Sequence, residues 1–434
     1  MSTSAPIAPK KKTRSKVNLS STAGHHTSRK KAVSVSVPQL SQLTDRQALD
    51  MLVSMRWGGW NTVSCPFCRS VSDHYYRRKE MRWKCKGCGK VFSVTSGTVF
   101  SSLKLEYQML LVSVLTWINS AEGQPALELM RHTDVAFNTA YVLQHKMREA
   151  IMRGYNVGLM GGDIEMDGSH RTGWNSMGKR GRTQLGKNSF EELQKERDRI
   201  EGQPVKDEPV PMVDSSALTT KGRERKKKEG KAVDATGRKY HPDRRILIVV
   251  RKRSNQAKGG ASKTRVVVTT AESASVVDSI ATEYLAVPES FLNSDGDLAY
   301  SEIGKAFKGH SVVDHGTTLI GLLGENNNQA ESFNRGIKRT EKGIHLNIEA
   351  KYLLDYSAET AFKADHSTKT TNGERLNIAM NLALNVGESL FWKGFTHGQH
   401  RKFEPTFPKP LDYPSSGPPK GSNQASAANG RPPR

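Results

Sequence analysis

Apolar positions recur at helical spacing through the first third of the chain, then give way to short, dense runs of branched residues. Leu49, Met51, Leu52 and Met55 predict a helix from Leu43 to about Met55. Thr44-Asp45-Arg46-Gln47 opens it as a capping box, the Thr44 hydroxyl taking a backbone N–H while Gln47 answers at the cap. Between residues 103 and 150 the helical period returns. Tyr107, Leu110, Leu111, Val114 and Leu115 form one apolar face; Pro125 opens a second helix through Met130; a third runs from about Asn138 to Met152, with Ala140, Leu143, Met147 and Ile151 inward. The break at His132-Thr133-Asp134 fits a helix-turn-helix corner, with Lys146 and Arg148 where a recognition helix carries cations. Plain packing of three helices fits it equally well.

From Gly161 the period shortens to two. Asp163, Glu165 and Asp167 alternate with Ile164 and Met166, so the three carboxylates share one face of a strand. Residues 245–251 and 265–269 are strands dense in Ile and Val, with Gly259-Gly260 in the turn between them. A helix from about Glu272 to Leu285 follows, then a strand at Ser290-Phe291-Leu292-Asn293 leading into Asp295, and a short helix through Tyr300 and Ile303. A strand at His310–Asp314 and a helix containing Glu331 complete the run. Three strands, then alternating helix and strand, is the order of a ribonuclease H-like domain. Residues 347–398 read as further helices, with Tyr352, Leu353, Tyr356 and Phe362 inward and Trp392 beyond.

Composition adds the ends and an interruption. Hydrophobic residues make up 35% of the 434-residue chain, low enough to leave room for unstructured segments. Residues 1–41 are basic and Ser-rich and predict a disordered arm. About 171–244 reads as an insertion, one exposed helix followed by a basic loop, and 399–434 as a Pro-, Gly- and Ser-rich disordered tail. The expected division is a helix plus a small metal ribbon at 42–100, a helical DNA-binding module at 101–155 and an α/β domain at 160–398. The excess of 66 Lys and Arg over 43 Asp and Glu, a net +23, favours a polyanionic partner. With no run of 18 apolar residues, nothing in the pattern spans a bilayer.

Two sets of residues carry candidate chemistry. Cys65-Pro66-Phe67-Cys68 and Cys85-Lys86-Gly87-Cys88 are paired knuckles flanking residues 69–84, which hold strand material at 73–78 and 81–83. Four thiolates so spaced suit a structural zinc ion with a closed shell, and Gly87 and Gly89 suit the turn. Arg77, Arg78, Lys79, Arg82, Lys84, Lys86 and Lys90 surround the knuckles and suggest contact with DNA; a solvated basic face is the alternative. The second set is the acidic run Asp163-Ile164-Glu165-Met166-Asp167 together with Asp295 and Glu331, carboxylates from three separate elements, which is what two-metal phosphoryl transfer needs.

Together the motifs resemble the zinc-ribbon DDE transposases of the insertion sequence 1595 family, over roughly residues 45–395. The resemblance lies in both knuckles, Phe92–Phe100, Glu165-Met166-Asp167, Ser294–Tyr300, Asn328–Phe333 with Lys338-Arg339, and Tyr356–Lys363. It departs at Gly168, where the family commonly has an acid, and at Lys363 and Asp365, where Arg and Asn are frequent. The likeness implies an enzyme that binds insertion-sequence ends in double-stranded DNA, cleaves them with Mg²⁺ or Mn²⁺, and joins the 3′-hydroxyl to target DNA. Asp167, Asp295 and Glu331 would be its metal ligands, with Asn328 as the rival third member and Lys338 beside a phosphate. It further implies a dimer or higher oligomer on DNA, in the cytoplasm at the nucleoid, or in the nucleus of a eukaryotic host. An inactive DNA-binding derivative and a nuclease of the same fold are the alternatives.

Overall fold

The computed structural model of the chain describes residues 32–155, 157–172, 244–254, 260–295, 298–313, 328–346, 348–367, 369–398, 400–401 and 404–407. The body of the basic arm, nearly all of the insertion and the final stretch of the tail lie outside the described residues.

Two short capped helices begin the fold. Helix α1 (Val37–Ser41) is closed by a Ser36–Gln39 capping box. Helix α2 (Asp45–Trp57) is closed by the anticipated Thr44–Gln47 box and stops at Gly58, whose φ of 79° is left-handed. The expected disordered arm therefore ends sooner than 41. Asn372 accepts the Ser34 and Val35 amides through Oδ1, at 2.9 and 3.2 Å, and Leu40 is buried. The small antiparallel sheet β1 (Tyr75–Arg77), β2 (Arg82–Lys84) and β3 (Val91–Phe92) then packs on the end of α2. Trp83, fully buried, stacks on Phe92 at 5.8 Å between centroids and meets Trp57 and Trp60 edge-on or tilted at 5.4 and 5.3 Å.

Helices α3 (Tyr107–Asn119), α4 (Ala126–Thr133) and α5 (Phe137–Gly154) follow. Asp134, at φ 53°, makes the corner between α4 and α5. The expectation that Lys146 and Arg148 face a nucleic acid is corrected here. Helix α5 is wrapped on several sides, and the two residues are only 4% and 0% exposed. Lys146 donates to the Ser101 carbonyl, and Arg148 Nε donates to Glu359 Oε2 at 2.6 Å. A cation on a helix reads as exposed until its partner, here 211 positions away, is seen.

The larger sheet has five strands in the order β6-β5-β4-β7-β8. They are β4 (Asp163–Thr172), β5 (Arg244–Arg253), β6 (Ala261–Thr269), β7 (Phe291–Asp295) and β8 (Gly309–Val313). β4–β5 and β5–β6 are antiparallel; β4–β7 and β7–β8 are parallel. Helices α6 (Ala274–Tyr284) and α7 (Leu298–Gly304) cover one face, where Ile164, Met166, Ile248 and Val250 meet Val277, Ile280 and Tyr300. Helices α8 (Asn328–Arg339) and α9 (Leu353–His366) cover the other, where Leu247, Val249, Val266 and Val268 meet Phe333, Ile337, Ala361 and Phe362. This mixed, two-sided sheet resembles a ribonuclease H-like core. The second face shares one continuous apolar cluster with α2, α3, α5 and α10 (Asn372–Asn385), so the amino-terminal helices and the sheet are built on common packing.

The start of the expected tail is likewise packed. Arg401 pairs with buried Asp355, Arg245 pairs with Glu404, and the Phe407 amide donates to the Val268 carbonyl at 2.8 Å along the free edge of β6. Among the described residues no helix is long and apolar enough to cross a membrane.

Between α5 and α9, Glu359 sits against Arg148 and Lys363, whose ammonium also donates to the Trp117 carbonyl. Burial alone would raise the Glu359 carboxyl, but Lys363 and Arg148 outweigh it and hold the group at about 2. A carboxyl held below its ordinary 4.5 stabilises the fold fully above that value and loses the contribution as pH falls through 4.5 toward 2. Glu359→Ala strands two buried cations and is expected to cost about 3–5 kcal/mol by chemical denaturation. The difference from wild type should shrink on acidification through that range.

Candidate metal centres

The two knuckles fold alike. The amide of the residue four beyond each first cysteine donates back to it, Arg69 to the Cys65 carbonyl at 2.8 Å and Gly89 to the Cys85 carbonyl at 3.1 Å. The Cys65 and Cys85 amides in turn reach the Ser70 and Lys90 carbonyls. Arg69 and Gly89 both take left-handed backbone, at φ 60° and 71°. Gly89 thus serves the turn as expected, while Gly87 has no left-handed φ and a Cβ there would meet only ordinary contacts, the nearest at 3.7 Å. The fold aims four sulfurs at one point: Cys65 and Cys88 Sγ are 3.8 Å apart, Cys68 and Cys85 Sγ 3.6 Å, and all four lie within 4.8 Å of one another. A tetrahedron with Zn–S of about 2.3 Å has edges of about 3.8 Å, so this donor set fits zinc.

Outside the metal cluster, alternation along β1 and β2 turns Tyr76 and Trp83 toward α2. It leaves Tyr75, Arg77, Arg82 and Lys84 outward, with Tyr75 opposite Lys84 and Arg77 opposite Arg82. Lys86 lies over the ring of exposed Tyr75 and Lys90 over that of exposed Phe67.

The acidic residues are organised by β4, β7 and α8. The parallel register runs from Asp163 opposite Phe291 to Met166 opposite Ser294, so the next residues, Asp167 and Asp295, occupy the same level on adjacent strands. Their backbones are then about 4.8 Å apart. The side chain of Asp295 lies outside the described atoms. Glu165, fully buried, turns one carboxylate oxygen to the start of α8, where it accepts the amides of Gln329 and Ala330 at 3.0 and 2.9 Å; its other oxygen meets Arg253 Nε at 2.6 Å. Further along α8, Asn334 Nδ2 donates to Asp167 Oδ2 at 2.7 Å. One flank of α8 faces β5, where Arg251 reaches the Gln329 carbonyl and lies over Phe333. By helical periodicity Glu331 and Lys338 fall on the opposite flank, the side of β7. Glu331 also faces Arg335 at 3.7 Å. Asn328, with Gln329 and Ser332, lines a cavity of about 1100 Å³ that Arg251, Arg339 and Lys363 also line. Glu331 is outside that wall, so the two rivals for third member meet different surroundings.

Sequence reasoning did not find Asn334, Arg253 or the work of Glu165. The signal for Asn334 was present: Ala330, Phe333, Asn334 and Ile337 form the buried stripe of α8, and a lone Asn in such a stripe calls for a partner. On the opposite face of β4, Gly168 leaves the space that Glu272 fills. A Cβ at 168 would lie 1.9 Å from Glu272 Oε1, which accepts the Tyr300 hydroxyl at 2.7 Å, while Glu272 Oε2 meets His170 at 3.1 Å. An acid at position 168 would therefore have to displace the Glu272 carboxylate from Tyr300 and His170.

Comparison with known proteins adds three findings. Residues 43–91 match a transposase zinc-ribbon domain. Residues 215–365 match the ISXO2-like transposase domain, a range that includes Asp295, Asn328, Glu331 and Lys338 and begins after Asp167. The chain is 31% identical over 109 residues to an uncharacterized protein in transposable element ISH50 of Halobacterium salinarum, a match covering 24% of this chain and 35% of that relative. No solved structure matches.

The zinc assignment has a direct check. Purified chain is expected to hold one zinc by elemental analysis; Cys85→Ser should lose most of it. Loss of metal should also change tryptophan emission, because Trp57, Trp60 and Trp83 pack directly behind the knuckles.

Proposed function

The chain belongs to the zinc-ribbon transposases of the insertion sequence 1595 family, and from that premise we propose that it binds the ends of an insertion sequence, cleaves them and joins the freed 3′-hydroxyl to target DNA. The observation that carries the reading is the parallel register of β4 and β7 through Met166 and Ser294, which, carried one residue further, sets Asp167 level with Asp295, with α8 tied to Asp167. Asp167, Asp295 and Glu331 offer carboxylate oxygens, the donors hard divalent cations take, and would hold Mg²⁺ or Mn²⁺. Bound there, such ions polarise a phosphodiester and lower the pKa of an attacking water.

The remaining work falls to the chain. The outward face of the ribbon, with Arg77, Arg82 and Lys84 at its centre, neutralises backbone phosphates and holds the duplex. Lys338, exposed on the same flank as Glu331, steadies a phosphate oxygen of the scissile strand. In the first step water forms a bond to phosphorus and the bond to the 3′-oxygen breaks, leaving a 3′-hydroxyl and a 5′-phosphate. In the second that hydroxyl attacks a target phosphodiester, and the target's own 3′-oxygen leaves with the proton. Bonds made equal bonds broken, and no protein–DNA covalent bond forms. Two copies, one per end, would bring the ends together.

On a duplex carrying the DNA that flanks this reading frame, Asp167→Asn should lower strand cleavage by about 10²–10³-fold or more while leaving the gel-shift affinity within about threefold. Retained cleavage would reject the assignment. Replacing Arg82 and Lys84 by Ala should weaken binding and reduce the slope of log affinity against log salt by about 0.9 for each phosphate that is no longer neutralised. An unchanged slope would remove the ribbon from the DNA interface.

A further inference from the structure

Asp167 and Glu331 stand on different elements, so their spacing depends on how α8 is seated on the sheet. The geometry points to Glu165 and Asn334 as positioning residues that seat α8, and with it Glu331, over Asp167; this rests on the catalytic reading above.

Arg251 and Arg171 reach the Gln329 and Asn334 carbonyls of α8, and two further attachments involve the acids of β4 themselves. At the start of the helix, both oxygens of Glu165 are used for holding. One accepts two of the amides that an α-helix leaves without intrahelical partners, where a negative charge also meets the positive end of the helix dipole. The other is fixed by Arg253, which extends to Asp163 at 3.3 Å. A fully buried carboxylate so engaged acts as a bracket, although it sits two residues from Asp167 in the same acidic run. One turn later Asn334, 6% exposed, donates its amide to Asp167, so the helix is tied to the candidate ligand itself. Between the two attachments lies Glu331. The chain directions agree: Glu165 precedes Asp167 on β4 as Gln329 and Ala330 precede Asn334 on α8. About 6.6 Å of strand is thereby matched to about 6 Å of helix. The buried stripe of Ala330, Phe333 and Ile337 presses α8 onto the sheet, and the two polar attachments set its direction and register there.

The test uses full-length, zinc-loaded protein and two readouts: Mn²⁺ binding by calorimetry, and the Mg²⁺ dependence of cleavage on the flanking-DNA duplex. Glu165→Ala and Asn334→Leu are expected to weaken Mn²⁺ binding and to raise the half-saturating Mg²⁺ about tenfold. Cleavage at saturating Mn²⁺ should recover to within about threefold of wild type. Gel-shift affinity should not change. Glu165→Gln, which keeps an acceptor for the two amides, should fall between wild type and Ala, and it serves if Glu165→Ala does not fold. Folded Glu165 variants that stay inactive at every metal concentration would make Glu165 a ligand and overturn the proposal. Variants with unchanged half-saturation would overturn it from the other side. Asp167→Asn in the same series separates the two levels of inference: if it still binds Mn²⁺ and cleaves, the catalytic reading has failed, whatever the positioning variants do.

Discussion

Parallel pairing of β4 with β7 is the constraint on which the arrangement depends. Ile164, Met166 and Leu292, all fully buried, lock the two strands against α6 and α7. Because side chains alternate along a strand, that apolar registration on one face dictates which residues stand level on the other. A slip of one residue would turn Ile164 and Met166 toward α8 and drive Glu165 and Asp167 among the side chains of α6. The apolar face thus enforces the position of the acids without touching them. Parallel neighbours cannot be joined by a hairpin, and here the connection from β4 to β7 runs through β5, β6 and α6.

The second organising feature is the core shared by the sheet and the amino-terminal helices. Glu359 on α9 accepts from Arg148 on α5 and from Lys363, and Lys363 reaches back to α3 through the Trp117 carbonyl. One buried anion therefore ties three helices together. Helix α2 ends on Trp57, against which the ribbon packs through Trp83, and its buried face joins the same cluster. The basic strands of the ribbon and the acids of the sheet are thereby parts of one packed body, joined through an unbroken path of touching side chains.

Legibility in the sequence followed the range of the interaction. The Thr44–Gln47 box, the cysteine knuckles and the Ile- and Val-rich strands are each determined within a few residues, and each stands where the pattern puts it. The strand order followed too, since helix and strand periods differ and few topologies accommodate that succession. What depends on distant partners was opaque. Lys146 and Arg148 have the charge of a DNA-reading helix and the burial of a core. Glu165 has the look of a ligand, yet what it grips is decided by where a helix more than 160 residues later comes to rest. Residues 32–41, 400–401 and 404–407 have the composition of tails, but Asn372 gives the Ser34 and Val35 amides a partner, and the margin of β6 gives one to the Phe407 amide, which local apolar content could not foretell.

The pairing of Phe407 with β6 has a consequence for assembly. The margin of a sheet carries unpaired amides and carbonyls, an open template for another chain. Here the polypeptide sets its own backbone against that margin at Phe407, with Arg245 paired to Glu404 three residues earlier. Another strand added to β6 at Thr269 would first have to displace Phe407, so self-occupation raises the cost of extending the sheet at this point of its margin.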